Sequence, residues 1–226
     1  MSVSGEEIRE AVRTGDHARY LSAQFAPTSA RPGLLAVTAF ALEISAISAR
    51  VKEPAMGQLR VAWWREALVR IEAGDVPHHP AALALSQVWR PALNPHLQAI
   101  LDACDQEFFG AQAAVELLPR IDAYTQKAWL PILGVANPVA ETAAFHVGEA
   151  WGLIRRQATL QSLDAAEDHL ARARKALPEV PRAALPALLI GAIVSNAIQR
   201  QRSGVVEAGQ VRRQFLLLRA ALLRRF

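Results

Sequence analysis

Apolar residues recur at three- and four-residue spacing along nearly the whole chain, and each such stretch stops at a proline, a glycine or a short polar run. The pattern predicts a succession of α-helices. No alternating strand or hairpin pattern interrupts it. Ser4 and Glu7 have capping-box spacing before a short first helix, and Asp16 is placed to cap a second that runs through Phe25 to Pro27. Ser29 precedes a long helix with Pro32 in its first turn, where proline is tolerated. Pro54 opens a helix ending near Gly74, and the run GDVPHHP reads as a loop. Further helices are predicted over 81–89, 95–117, 120–133, 138–157, 164–177, 182–201 and about 208–226. No repeat, low-complexity tract or long linker divides the chain. The prediction is an all-α fold, one single-domain helical bundle over residues 1–226.

Composition agrees with one globular domain: 226 residues, 52% apolar and 20% charged, suffice for a single core. The net charge of +4 rests on arginine, with Lys52, Lys127 and Lys175 the only lysines. Positive charge is spread along the chain until residue 212, which argues against a nucleic-acid partner. One cysteine, Cys104, excludes an intrachain disulfide and a cysteine-based metal cluster and suits a reducing cytoplasm. The polar start MSVSGEEIREAVRTGD resembles neither a secretory signal nor an acid-free transit peptide. The longest apolar run, Ala183 to Val194, contains Pro186 and is shorter than the roughly 20 residues that span a bilayer. No transmembrane helix is expected, and a cytoplasmic location is.

The last helix carries Val211, Phe215, Leu218 and Leu222 among Arg212, Arg213, Arg219, Arg224 and Arg225. A basic amphipathic helix of this kind binds an anionic membrane surface, which places the chain peripherally on an inner membrane face. A final bundle helix with solvated arginines is the competing reading.

Candidate chemistry is sparse. His78 and His79 lack a suitably spaced acid or cysteine for a metal site, no nucleophile elbow is present, and the twelve glycines form no phosphate loop. Asp102 and Asp105 share a helix face and make the best carboxylate pair. Asp164, Glu167 and Asp168 form a second acidic group, read as a solvated helix start. Trp63 and Trp64, about 100° apart on a helix, cannot face one partner, so one is assigned to the core and the other to a groove wall or interface.

Several motifs carry a family resemblance. RPGLLAVTAF from Arg31 to Phe40, LRVAWWREAL around Trp63 and Trp64, Gly74, and His79-Pro80 resemble landmarks of the squalene/phytoene synthases. HVGEAWGLIRRQ resembles a later block, matching at Gly148, Ala150 and Leu153. The resemblance implies a helical bundle of the isoprenoid synthase type. It also implies two aspartate-rich motifs that hold Mg²⁺ against a prenyl diphosphate.

Both motifs have lost their carboxylates in this chain. In the register of Arg31 to Phe40, the first motif's arginine falls on Leu42 and its aspartates on Ser45, Ala46 and Ala49, while Thr159 stands at the second motif's first aspartate. Neither alanine nor serine replaces a carboxylate ligand for Mg²⁺, a hard ion bound through oxygen. Loss of the clamp removes charge neutralisation on a departing diphosphate. Asp164, Glu167 and Asp168 have the spacing of the second motif but lie five residues too late. The stripe Thr38, Leu42, Ser45 and Ala49 lines either a cavity or, as tight helix packing, none.

Val51-Lys52-Glu53-Pro54 resembles the link found in a degenerate subgroup that includes the mitochondrial complex I assembly factor and its bacterial relatives. The expectation is therefore a noncatalytic protein without cofactor, an assembly or interaction factor with a protein partner in a membrane complex. Two alternatives stand beside it: a reduced prenyltransferase that still uses Mg²⁺, and a carrier of an isoprenoid or other lipid.

Overall fold

Proline and glycine delimit the helices. The computed structural model describes residues 5–51, 53–109, 120–156, 159–204 and 210–223. Eleven α-helices lie among them: α1 (Gly5–Gly15), α2 (His17–Ala23), α3 (Arg31–Arg50), α4 (Pro54–Glu72), α5 (Pro80–Ser86), α6 (Asn94–Phe109), α7 (Arg120–Ile132), α8 (Pro138–Arg156), α9 (Leu160–Ala176), α10 (Ile190–Ser203) and α11 (Gln210–Leu223). No strand occurs among the described residues. Asp16 caps α2 by accepting from the Arg19 amide, and prolines occupy the first turns of α3, α4 and α5. Gly204 ends α10 at φ +68°, where its N–H reaches the carbonyls of Arg200 and Gln201.

Two predicted boundaries need correction. The helix expected over 182–201 is two pieces, a 3₁₀ segment Arg182–Ala187 containing Pro186 and then α10. The helix expected from Asp164 begins at Leu160, because Thr159 is its N-cap in a reciprocal pair of bonds with Ser162. The acids therefore sit past the first turn, not at the start. Ser4, Lys52 and the end of the helix expected over 95–117 lie outside the described residues.

Helix α7 occupies the centre and packs on α3, α6 and α8. Ile121, Ala123, Ala128, Trp129, Leu130 and Ile132 are buried around its circumference, and so are Asp122, Thr125 and Gln126. At Gly148 the backbones of α7 and α8 touch: a Cβ there would lie 2.5 Å from Ala123 Cα and 2.5 Å from the Asp122 carbonyl oxygen. A smaller apolar cluster, with Ala150, Leu163, Leu170, Val194 and Ile198, joins α8, α9 and α10. No helix among the described residues is long and apolar enough to cross a membrane.

Helix α11 belongs to the bundle, for Leu217 and Ala220 are buried against it. Phe215, Leu218, Leu222 and Leu223 are exposed, and Leu216 is half-buried. One face packs on the bundle and the other points outward.

Candidate functional site

The positions where the resembled family carries its first aspartates lie at the C-terminal half of α3. Thr38, one end of the stripe, is buried and accepts a bond from Trp129 Nε1 at 3.2 Å while donating to the Leu34 carbonyl at 2.7 Å. Leu42 lies against Gly15 of α1, where a Cβ would come within 2.8 Å of Leu42 Cδ1. Ser45 and Ala46 are half-buried and Ala49 is exposed. The stripe thus starts as packing and ends at the surface.

Ala46 opens onto a cleft of about 290 Å³ between α3 and α4, lined also by Glu43, Ile47, Arg50, Arg60, Trp63, Trp64 and His79. Trp64 is 5% exposed and meets Phe40 edge to face at 5.1 Å, whereas Trp63 is 41% exposed and stands edge-on to Trp64 at 4.9 Å. His79 lies 4.8 Å from the Trp64 ring and caps α5 through its Nδ1. One carboxylate, Glu43, faces two arginines in this cleft. Along the outer face of α4, Met56, Leu59 and Trp63 are exposed at helical spacing, a contiguous apolar stripe beside the cleft.

Arginines engage the other candidate acids. Arg65 on α4 bridges Asp102 at 2.8 Å and Asp105 at 3.1 Å on α6. Arg202 on α10 does the same for Asp164 at 2.5 Å and Glu167 at 2.6 Å on α9. Asp168, one residue further, is exposed next to His169. Both acidic pairs are thus interhelical ties. Neither arginine is a local signal, for they lie 37 and 38 residues from the acids they bind.

The same holds in the interior. Arg19, 2% exposed, donates to Asp16 Oδ2 at 2.7 Å, Asp122 Oδ1 at 2.8 Å, the Asp122 carbonyl at 2.9 Å and Gln126 Oε1 at 2.8 Å. Trp151 Nε1 donates to Asp16 at 3.2 Å and Arg155 to Asp122 at 3.3 Å. The Asp122 carboxylate, next to the Arg155 guanidinium, keeps that arginine charged against burial. Asp16 is legible as a cap, and Asp122 and Gln126, at i and i+4, share one face of α7 with buried apolar neighbours.

The remaining motif positions are structural. Gly148 and Ala150 are buried at helix contacts, Leu153 is half-buried, and Thr159 caps α9. Glu149 is buried, which pushes its carboxyl up to about 7 against the pull of Arg120, with Asp122 adding to the rise. His146 and His169 face each other across α8 and α9 with their Nδ1 atoms 3.0 Å apart. Burial holds both below the ordinary histidine range, and for His169, with His146 and Arg172 nearby, the value falls to about 4.

Residues 12–156, more than half of the chain, match the squalene/phytoene synthase family. Among similar proteins, NADH dehydrogenase (ubiquinone) complex I, assembly factor 6 of Bos taurus and that of Homo sapiens are each 28% identical over 156 residues. The protein of the same name from Rattus norvegicus is 26% identical over 158. Each match takes in 64% of this chain and 46% of the relative, so the chain spans about half the length of the relatives it matches. The matched region runs from α1 to the end of α8 and includes the α3 and α4 cleft, the central helix α7 and the close contact at Gly148. This all-α bundle is of the isoprenoid synthase type, and the protein belongs to the squalene/phytoene synthase family.

Proposed function

We propose that this protein is a noncatalytic member of its family that works as an assembly or interaction factor, with subunits of the respiratory NADH dehydrogenase as its partner. One observation carries the reading. At the α3 positions where the family holds its metal ligands stand Ser45, Ala46 and Ala49, and the cleft beside them sets Arg50 and Arg60 against a single carboxylate, Glu43. Such a cleft repels a divalent cation where a prenyltransferase attracts one. Engagement of Asp102, Asp105, Asp164 and Glu167 by arginines supports the same conclusion, because those oxygens are committed to cross-helix ties.

The partner half of the proposal rests on the exposed Met56, Leu59 and Trp63 stripe and on the name shared by the similar proteins. Exposed tryptophan flanked by arginine is the composition of an interface hot spot. Attachment to an anionic membrane through the outward face of α11 fits this role, since Phe215, Leu218 and Leu222 lie there with Arg219.

The test has two arms. Purified protein given farnesyl diphosphate and Mg²⁺ is expected to release no diphosphate; turnover would establish the prenyltransferase alternative instead. Tagged protein is expected to retain NADH dehydrogenase subunits, and Trp63→Ala to lose them while keeping the fold. Retention undiminished in Trp63→Ala would remove α4 from the interface.

A further inference from the structure

Two guanidiniums of the α3 and α4 cleft, those of Arg50 and Arg60, are exposed and make no ion pair among the described residues. Elsewhere on the surface Arg65, Arg70 and Arg202 each hold a carboxylate. Glu43 lines the same cleft and pairs with neither arginine. The cleft itself therefore carries a surplus of one positive charge, with both guanidiniums uncommitted.

Apolar surface adjoins this charge. Met56, Leu59 and Trp63 run along two turns of α4, about 10 Å, and Arg60 stands next to Leu59 in sequence and one turn from Met56 and Trp63. A segment that lays apolar side chains on the stripe thus brings its flank over Arg60. The cleft volume of about 290 Å³ lies just under the roughly 300 Å³ at which small-molecule sites begin, so it suits a side chain better than a whole cofactor.

The surrounding charges choose among anions. One carboxylate neutralises the surplus, and a phosphate dianion overshoots it. Glu53 and Glu66 are exposed three residues before Met56 and three after Trp63, and Glu43 lies between the helices. An anionic bilayer spread over this face would meet all three, whereas a narrow peptide can seat its carboxylate at the arginines alone.

We propose that the α3 and α4 cleft and the Met56, Leu59 and Trp63 stripe together dock a segment of a partner protein in which a glutamate or aspartate flanks apolar side chains. The carboxylate pairs with Arg50 and Arg60, and the apolar side chains cover Trp63. This inference rests on the reading of α4 as a protein interface and names the chemistry of what docks there.

A random peptide library displayed on phage and selected on the immobilised full chain tests it, followed by titration of the enriched peptides by fluorescence anisotropy. Enriched peptides are expected to carry an acidic residue beside aliphatic or aromatic ones. Trp63→Ala is expected to weaken them by about thirtyfold, and Arg60→Glu by about fivefold or more. Peptides with lysine in place of the acid are expected to prefer Arg60→Glu to wild type. Arg182→Glu, the same charge change on the exposed 3₁₀ segment, is expected to keep the wild-type affinity within about twofold. Circular dichroism and urea midpoints of the variants separate lost binding from lost fold. Peptides that need Trp63 but lack acids, or are indifferent to Arg60→Glu, overturn the acidic partner and leave α4 as an interface. If no enriched peptide depends on Trp63, the interface reading fails and this inference with it. Cosedimentation with phosphatidylglycerol vesicles that Trp63→Ala abolishes, without peptide binding, gives this face to a membrane and overturns the proposal.

Discussion

Replacing Arg19 by methionine removes the hub of the interior while keeping most of its length. The guanidinium supplies four bonds of 2.7 to 2.9 Å to Asp16, Asp122 and Gln126, and Arg19, Asp16 and Asp122 are all nearly inaccessible to solvent. Without it, Asp16 keeps the Arg19 amide and Trp151 Nε1, and Asp122 keeps Arg155 at 3.3 Å. Two buried carboxylates are then left underpaired, and breaking a buried pair from one side costs about 3–5 kcal/mol. For a urea dependence of about 2–3 kcal/mol per molar, the midpoint falls by roughly 1–2.5 M. Equilibrium unfolding in urea, followed by helical circular dichroism and tryptophan fluorescence, measures it. The triple change Arg19→Met, Asp16→Asn, Asp122→Asn withdraws the charges together and is expected to regain much of the loss, because a buried ion pair is near neutral against uncharged replacements. A loss below about 1 kcal/mol for Arg19→Met at unchanged slope, or a triple variant no more stable than the single one, refutes the reasoning.

Three further outcomes follow from the packing and the titrating groups. Gly148→Ala drives a methyl into the Ala123 and Asp122 backbone, which cannot rotate away, and is expected to cost about 3 kcal/mol or more by thermal or urea unfolding. Glu149 binds its proton up to about pH 7 in the folded chain against an ordinary 4.5, so its contribution is intact below 4.5 and lost as pH rises through 7. Glu149→Gln, measured by urea unfolding, is expected to match wild type at low pH and exceed it by about 1–2 kcal/mol at pH 8, after allowance for partial hydration. His169 has the opposite sign: its folded value of about 4 lies below the ordinary 6.5, so stability is present above 6.5 and declines as pH falls toward 4. His169→Gln is expected to flatten the acid limb of the melting temperature against pH, and an unchanged limb would assign the decline elsewhere.

Local signals were readable and distant partners were not. Asp16, Pro32 and Pro54 mark helix starts because a cap or a first-turn proline acts within one turn of itself, while Pro80, read as loop, opens α5. The start of α9 is hard to place from sequence because the acids from Asp164 suit a helix start as well as Thr159 and Ser162 do, whose reciprocal bonds are the actual cap. Asp102 and Asp105 were legible as a pair, yet their role depends on Arg65 from another helix. The Arg19 network joins residues more than one hundred positions apart, and no periodicity in the chain encodes that contact. Gly148 is legible through its motif alone; its physical reason, backbone against backbone, depends on α7.

Burial explains which family landmarks this chain keeps and which it lacks. Gly148, Ala150, Phe40 and Trp64 are buried at helix contacts, so altering any of them opens a cavity or forces two helices apart. Ser45, Ala46 and Ala49 lie at a cleft or in solvent, where exchanging a carboxylate for a small side chain disturbs no packing and relieves charge repulsion. The frame and the chemistry of this scaffold are therefore energetically separable. On the proposed reading, nothing in the core opposes the absence of a metal cage at these positions, and Arg65 and Arg202 tie neighbouring helices through carboxylates elsewhere in the bundle.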